Sequence, residues 1–262
     1  MFDSSSRNIH YLRLSVTDLC NLRCRYCMPD GVEKLEREAV LTYEEFLRLA
    51  ALFAQCGIDT VRVTGEPLVR KDVDQLVAGL KAIPGIHKVT LTTNGILLAR
   101  QLPALLNAGL DSVNISLDTL RPEVFQRITA RDEFSHVMEG LRAALDSGIP
   151  VKLNCVPQAG VNEGELEDLA ALAEAHPLQV RFIEMMPIGY GAAMPCISGP
   201  ELLARFPVEK RDALVGVLAQ DPRPRYQADA SRVYGLEFGG YEVKFTVSDQ
   251  ILTVTDIAKK DS

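Results

Sequence analysis

The sequence predicts an α/β fold with a parallel sheet and a short antiparallel β extension at its C-terminal end. Six β-rich runs follow one another between residues 11 and 182, and amphipathic helical patterns separate them. Strands that alternate with helices pair in parallel through right-handed crossovers. After residue 187 helical spacing disappears, and the last part of the chain alternates with period two. The chain has 262 residues, of which 47% are hydrophobic, enough for one large core or two domains. Six strand–helix units suit a doubly wound sheet or an incomplete barrel, and periodicity does not choose between them.

The elements follow in order. Residues 1–10 are polar and serine-rich and read as a loose arm. Residues 11–16 alternate apolar and polar and read as the first strand. A cysteine-bearing loop follows, then a charged, aperiodic stretch over 33–38. Thr42 is placed to cap a helix, with Glu45 as its capping-box partner. Phe46, Leu49, Ala50 and Phe53 recur at helical spacing up to Gly57, near which Cys56 reads as a core residue. Residues 60–64 form the second strand. Further strands begin near Lys88, Ser112, Val151 and Leu178, and helical patterns fill 73–82, 101–108, 134–147 and 165–175. Unit spacing varies too much for a solenoid. Residues 188–200, rich in Gly, Ala and Pro, read as a linker. A short helix over 200–206 and an extended stretch over 221–225 follow. Residues 233–238, 241–247 and 251–255 read as an antiparallel meander with turns at 239–240 and 249–250. The division expected is 1–187 for the parallel-sheet domain and 188–262 for a partly β extension.

Composition excludes some classes of function. Net charge is −7, with both signs spread along the chain, which argues against a nucleic-acid-binding surface. No apolar run is long enough to span a bilayer. The sequence carries no targeting segment, which predicts the cytoplasm, where thiols stay reduced.

Cys20, Cys24 and Cys27 lie on the loop that leaves the first strand, in a C-x3-C-x2-C spacing. Loops at strand C-terminal ends carry the chemistry of barrel and open-sheet α/β folds. Closely spaced cysteine thiolates hold cubane iron–sulfur clusters, usually four to a cluster. Three would leave one iron open to a small molecule. The competing readings are a structural zinc site, for which His10 is the nearby fourth ligand, and inert core thiols. Six cysteines in 262 residues are too sparse for a disulfide framework.

The run Leu19-Cys20-Asn21-Leu22-Arg23-Cys24-Arg25-Tyr26-Cys27-Met28-Pro29 resembles the radical S-adenosylmethionine (SAM) superfamily, whose signature is this spacing. Its wording is similar to the GTP 3′,8-cyclase family of molybdenum cofactor biosynthesis. The resemblance implies an incomplete (β/α)6 TIM-type barrel, a [4Fe–4S] cluster on Cys20, Cys24 and Cys27, and SAM on the open iron. Reductive cleavage of SAM then yields a 5′-deoxyadenosyl radical, so no side chain beyond the cluster and SAM need be catalytic. In that family the radical takes a hydrogen from ribose C3′ of GTP, and the carbon radical attacks C8 of guanine. A low-potential electron donor such as flavodoxin or ferredoxin is implied as a partner, and no nucleic acid or membrane.

Further motifs extend the resemblance over residues 7–190. Thr64-Gly65-Glu66-Pro67 stands where the family has Gly-Gly-Glu-Pro, which lines the SAM amino group; this chain has one Gly fewer. On residues alone it is a βα turn in which Glu66 can accept from an ammonium group. Thr92-Thr93-Asn94-Gly95 matches a family run whose first Thr lies at the substrate pocket, although Asn-Gly is also a common turn. Asn114-Ile115-Ser116-Leu117-Asp118 resembles a run whose Ser contacts SAM; otherwise its Ser and Asp would cap the next helix. Tyr26 and Met186 are carried over as SAM-binding, with a core methionine as the plain alternative for Met186. Arg13, Arg62 and Lys152 match cations that bind the GTP triphosphate, the alternative being ordinary surface pairing. The resemblance stops there. The later cysteines are Cys56, Cys155 and Cys196, and no C-x2-C appears where the family carries a second, guanine-binding cluster. Residues 241–245 echo the strand before that cluster. A different substrate, a peptide or another nucleotide, and a non-catalytic homologue remain as alternatives.

Overall fold

A computed structural model describes residues 8–31, 35, 39–186, 189–198 and 201, and the strands within 234–259. The expected N-terminal arm, most of the charged loop over 33–38, most of the helix over 200–206 and the stretch over 221–225 lie outside the described residues. One compact unit comprises His10–Cys196, and a second includes Ile197–Ser262.

The first unit is a six-stranded parallel sheet in the order β1 (Tyr11–Ser15), β2 (Thr60–Thr64), β3 (Lys88–Thr93), β4 (Ser112–Ser116), β5 (Val151–Cys155), β6 (Leu178–Phe182). This order decides what periodicity left open. Each strand is added on the same side of the last, the order in which right-handed crossovers carry their helices to one face of a sheet. A doubly wound sheet reverses direction and covers both faces. Here the second face is left to line the concave side of a partial barrel.

The register shows the two faces. Leu14, Val63, Leu91, Val113 and Val151 pair across five strands and are all buried. The helices α1 (Tyr43–Gln55), α2 (Val73–Lys81), α3 (Leu98–Asn107), α5 (Phe134–Asp146) and α6 (Leu166–Ala175) each bury apolar residues of their own. The other face is polar. Arg13 pairs with Arg62 and Arg62 with Thr90; Thr92 pairs with Asn114 and Asn114 with Lys152. Paired residues and residues two apart share a face, so these side chains share the concave surface. Lys152 lies on β5 between buried Val151 and Leu153 and is half-buried.

Thr42 and Glu45 form the expected capping box. The helix α4 (Pro122–Thr129) was not expected. Its eight residues are too short for a clear period, but Pro122 presets its first turn and Val124, Phe125 and Ile128 are buried. Cys56 is exposed at the end of α1, not core. Part of the expected linker is packed: Gly189–Ala193 form a 3-10 turn, and Cys196 bridges to Gln158. In the second unit β7 (Tyr234–Phe238), β8 (Tyr241–Ser248) and β9 (Ile251–Lys259) form an antiparallel sheet, as the meander predicted. Among the described residues, no helix is long and apolar enough to cross a membrane.

Candidate active site

The cysteine loop leaves the C-terminal end of β1 and is tied down from three sides. Leu22 is buried as its anchor. Arg23 N and Arg25 N donate to the last carbonyls of α4, Thr129 O and Ile128 O, both at 2.9 Å. The unexpected helix therefore supports this loop. Cys27 N and Met28 N both donate to Cys24 O, which turns the chain between the second and third thiols.

Tyr26 makes the third tie. Its hydroxyl donates to Asp118 Oδ2 at 2.7 Å, and Asp118 Oδ1 accepts from Val156 N at 2.8 Å. Asp118 thus joins the loop to the ends of β4 and β5. It does not cap the following helix, the role expected of it without the resemblance; α4 has no side-chain cap. Burial raises the Asp118 carboxyl to about 6, against hydrogen bonds from Val156 and Tyr26 that lower it. Burial, then the Asp118 charge, pushes the Tyr26 phenol well above its ordinary value.

Burial also raises all three thiols. Cys24 is raised further by Asp118, then by Cys20 and Cys27. Three thiols of this kind stay protonated until a cation takes them, and binding iron deprotonates a thiol outright. The donor set therefore fits an iron–sulfur cluster, in which each thiolate takes its own iron. A structural zinc site would need a fourth ligand beside these three. His10, the proposed fourth ligand, bonds Asp59 at 3.2 Å before β1 begins. It sits one strand length from the cysteine loop.

Gly65 follows β2 with φ +87°, and a Cβ there would meet Thr17 O at 2.7 Å. The glycine is required by the chain leading into the cysteine loop. Glu66 is 4% exposed. Its Oε1 accepts from Thr93 Oγ1 at 2.6 Å and its Oε2 from Asn94 N at 2.7 Å. The carboxylate braces the end of β2 against the end of β3. Burial raises it to about 7, opposed by those two hydrogen bonds and one from Leu68 N.

Thr92 lies on the concave face and accepts from Asn114 Nδ2 at 3.4 Å. Ser116 ends β4 on the same face, in register with Asn154. Met186 is 66% exposed, while its neighbour Met185 is buried, so Met186 is not the core methionine. Arg13 is exposed; Arg62 donates to Thr90 Oγ1 at 3.4 Å and lies over the Tyr11 ring. Sequence reasoning missed the roles of three further residues. Asp118, read only as a helix cap, and Asn94, read only as part of a turn, take long-range partners that no local pattern encodes. Asn114 was quoted only as part of its motif; its Oδ1 is buried and unpartnered on the concave face.

Comparisons with known proteins agree with this geometry. The family model described as "Radical SAM superfamily" matches residues 14–173. A second model, "TrmO C-terminal domain", matches residues 201–260. The echo of a cyclase strand at 241–245 is thereby corrected: that segment resembles another family. The chain is 54% identical over 194 residues to GTP 3′,8-cyclase of Heliobacterium modesticaldum, covering 73% of this chain and 59% of that protein. It is 54% identical over 188 residues to human molybdenum cofactor biosynthesis protein 1, covering 71% of this chain and 30% of that protein. The chain thus spans less than two thirds of these relatives. Streptococcus suis SuiB bound to S-adenosylmethionine shares the fold, with a TM-score of 0.60 at 17% identity, covering 81% of this chain and 48% of that one. With its three thiols at the mouth of a partial barrel and a family match over most of that barrel, the chain belongs to the radical SAM superfamily, whose cofactors are a [4Fe–4S] cluster and SAM.

Proposed function

We propose that the chain is a radical SAM enzyme of the GTP 3′,8-cyclase type, a lyase acting in molybdenum cofactor biosynthesis. One observation carries the reading: three free thiols sit on the loop that leaves β1, and one face of the same sheet presents Arg13, Arg62 and Lys152 from three strands. A [4Fe–4S] cluster held by Cys20, Cys24 and Cys27 would supply the electron for reductive cleavage of SAM.

The chain's own residues bind and orient. Cys20, Cys24 and Cys27 hold the cluster, and Tyr26, fixed by Asp118, sets the loop beside SAM. Gly65 lets the backbone approach the SAM amino group, and Glu66 holds that turn in place. Ser116 and Met186 line SAM from β4 and from beyond β6. Thr92 faces the substrate, and the three cations receive a triphosphate. A curled sheet that keeps water off this face protects a carbon radical from quenching. The electron comes from a low-potential donor such as flavodoxin or ferredoxin, and reduced thiols suit the cytoplasm. Residues 1–187 act as the barrel and 188–262 as a separate extension.

Residues 201–260 match a different family where the cyclases resembled here carry their guanine-binding cluster. That observation favours a second reading, radical chemistry on another substrate. It also leads us to infer that phosphate is recognised better than guanine, so GTP and ATP bind with similar affinity. The test is anaerobic reconstitution followed by strong reductant and SAM. The proposal expects 5′-deoxyadenosine from wild type, none from Cys24→Ala, and wild-type amounts from Cys56→Ala. No cleavage by a fully loaded protein would favour a non-catalytic homologue. Cleavage that no nucleotide alters would favour the other substrate.

A further inference from the structure

We propose that Asn94 is a positioning residue for the cluster: its side-chain amide holds an N–H on the sulfur of Cys20 and raises the cluster's reduction potential. This rests on the assignment of Cys20 as a cluster ligand.

Asn94 follows β3, is 7% exposed, and joins three loops. Its backbone N–H is held by Glu66 Oε2, in the loop after β2. Its Oδ1 accepts from Ile96 N at 3.1 Å. That bond fixes the orientation of the amide, because a reversed amide would set its NH2 against the Ile96 N–H. The two N–H bonds must then point the other way, into the loop after β1. One reaches Asn21 Oδ1 at 2.6 Å, and the other reaches Cys20 Sγ at 3.8 Å, a span that the larger sulfur radius allows. Cys20 Sγ also accepts from Leu22 N at 3.4 Å.

An Asn before Gly needs only the bond to Ile96 to make its turn. The donor aimed at sulfur is additional to that need. Hydrogen bonds to ligand sulfurs help set the potentials of iron–sulfur clusters. They stabilise the state with the extra electron, in which sulfur carries more negative charge, so they ease reduction. Groups that touch metal ligands also fix their orientation.

The test is Asn94→Ser. A serine hydroxyl can still accept from Ile96 N–H but is too short to reach Cys20. The expected result is full iron and sulfide content with a midpoint potential more negative than wild type. A full cluster at unchanged potential overturns the proposal. Asn21→Ala serves as a control, since it removes the neighbouring contact and leaves the sulfur donor; its potential should stay at the wild-type value. An equal shift in Asn21→Ala would mean that loosening of the loop moves the potential, and would overturn the proposal. A third measurement needs no variant. Wild-type protein labelled with 15N at asparagine side-chain amides should show a 15N coupling to the reduced cluster by pulsed electron paramagnetic resonance; a loaded, reduced cluster without that coupling overturns it. A wild-type chain that takes up no iron overturns instead the cluster assignment beneath it.

Discussion

Replacing Glu66 by Gln should change how the stability of the barrel depends on pH. Glu66 is buried, and burial raises its carboxyl from the ordinary 4.5 to about 7, although Thr93, Asn94 and Leu68 hydrogen-bond it. Between those values the folded chain holds a proton that the unfolded chain has released. The stabilisation is therefore fully present below 4.5 and is lost as pH rises through about 7. At 1.36 kcal/mol per pH unit, most of the loss, about 2.5 kcal/mol, falls between about pH 5 and 8. Asp118, raised to about 6, adds a slope of the same sign. A difference between variant and wild type cancels it. Gln stays neutral at every pH, and its misplaced NH2 against one donor costs about 1–3 kcal/mol throughout. The variant should therefore gain on wild type by about 2.5 kcal/mol from pH 5 to pH 8. Urea unfolding of the cluster-free, reduced chain, followed by circular dichroism at each pH, measures this. A difference that does not change with pH would refute the reasoning, because it would mean that Glu66 titrates in the fold as it does in water.

Three other outcomes are expected. Gly65→Ala puts an L residue at φ +87° and its Cβ 2.7 Å from Thr17 O; the backbone conformation alone costs about 1–2 kcal/mol. Urea unfolding should show at least that loss and reconstituted iron should fall, whereas wild-type iron loading would show that this turn does not support the cysteine loop. Gly140→Ala drives a methyl from α5 against Gly95 O and to 3.2 Å from Leu98 Cβ. Overpacking of this kind costs about 1–3 kcal/mol, and an unchanged thermal midpoint would contradict the close contact between α5 and the β3–α3 turn. Lys152→Ala should weaken GTP and ATP alike, by about 1.5–3 kcal/mol for a lost charged contact. Titration calorimetry that shows loss for GTP alone would mean that Lys152 reads the base.

The cysteine loop was legible because its information is local. Three thiols within eight residues, after an alternating strand, need no tertiary contact to be seen. The alternation of strands and helices was legible for the same reason, since each element records in its own period which of its faces is buried. That record does not say what lies against the face. The short α4 has too few residues to show its period, yet its last carbonyls hold the cysteine loop. Tyr26 and Asp118 stand 92 positions apart, and their bond is set by how β1 and β4 end in space. Glu66 was read as able to accept from an ammonium group; that it also accepts from Thr93 and Asn94 at the end of β3 is set by the tertiary fold. Arg13, Arg62 and Lys152 were brought together only by resemblance, as cations for one triphosphate. Only the register, with Arg13 beside Arg62 and Lys152 beside Asn114, sets them on one surface. The strand order, which never reverses direction, then leaves that surface to line a partial barrel. A sequence fixes the order of its strands along the chain, but their order in the sheet follows from the packing of every crossover together, and that packing turned one face of this sheet into a site.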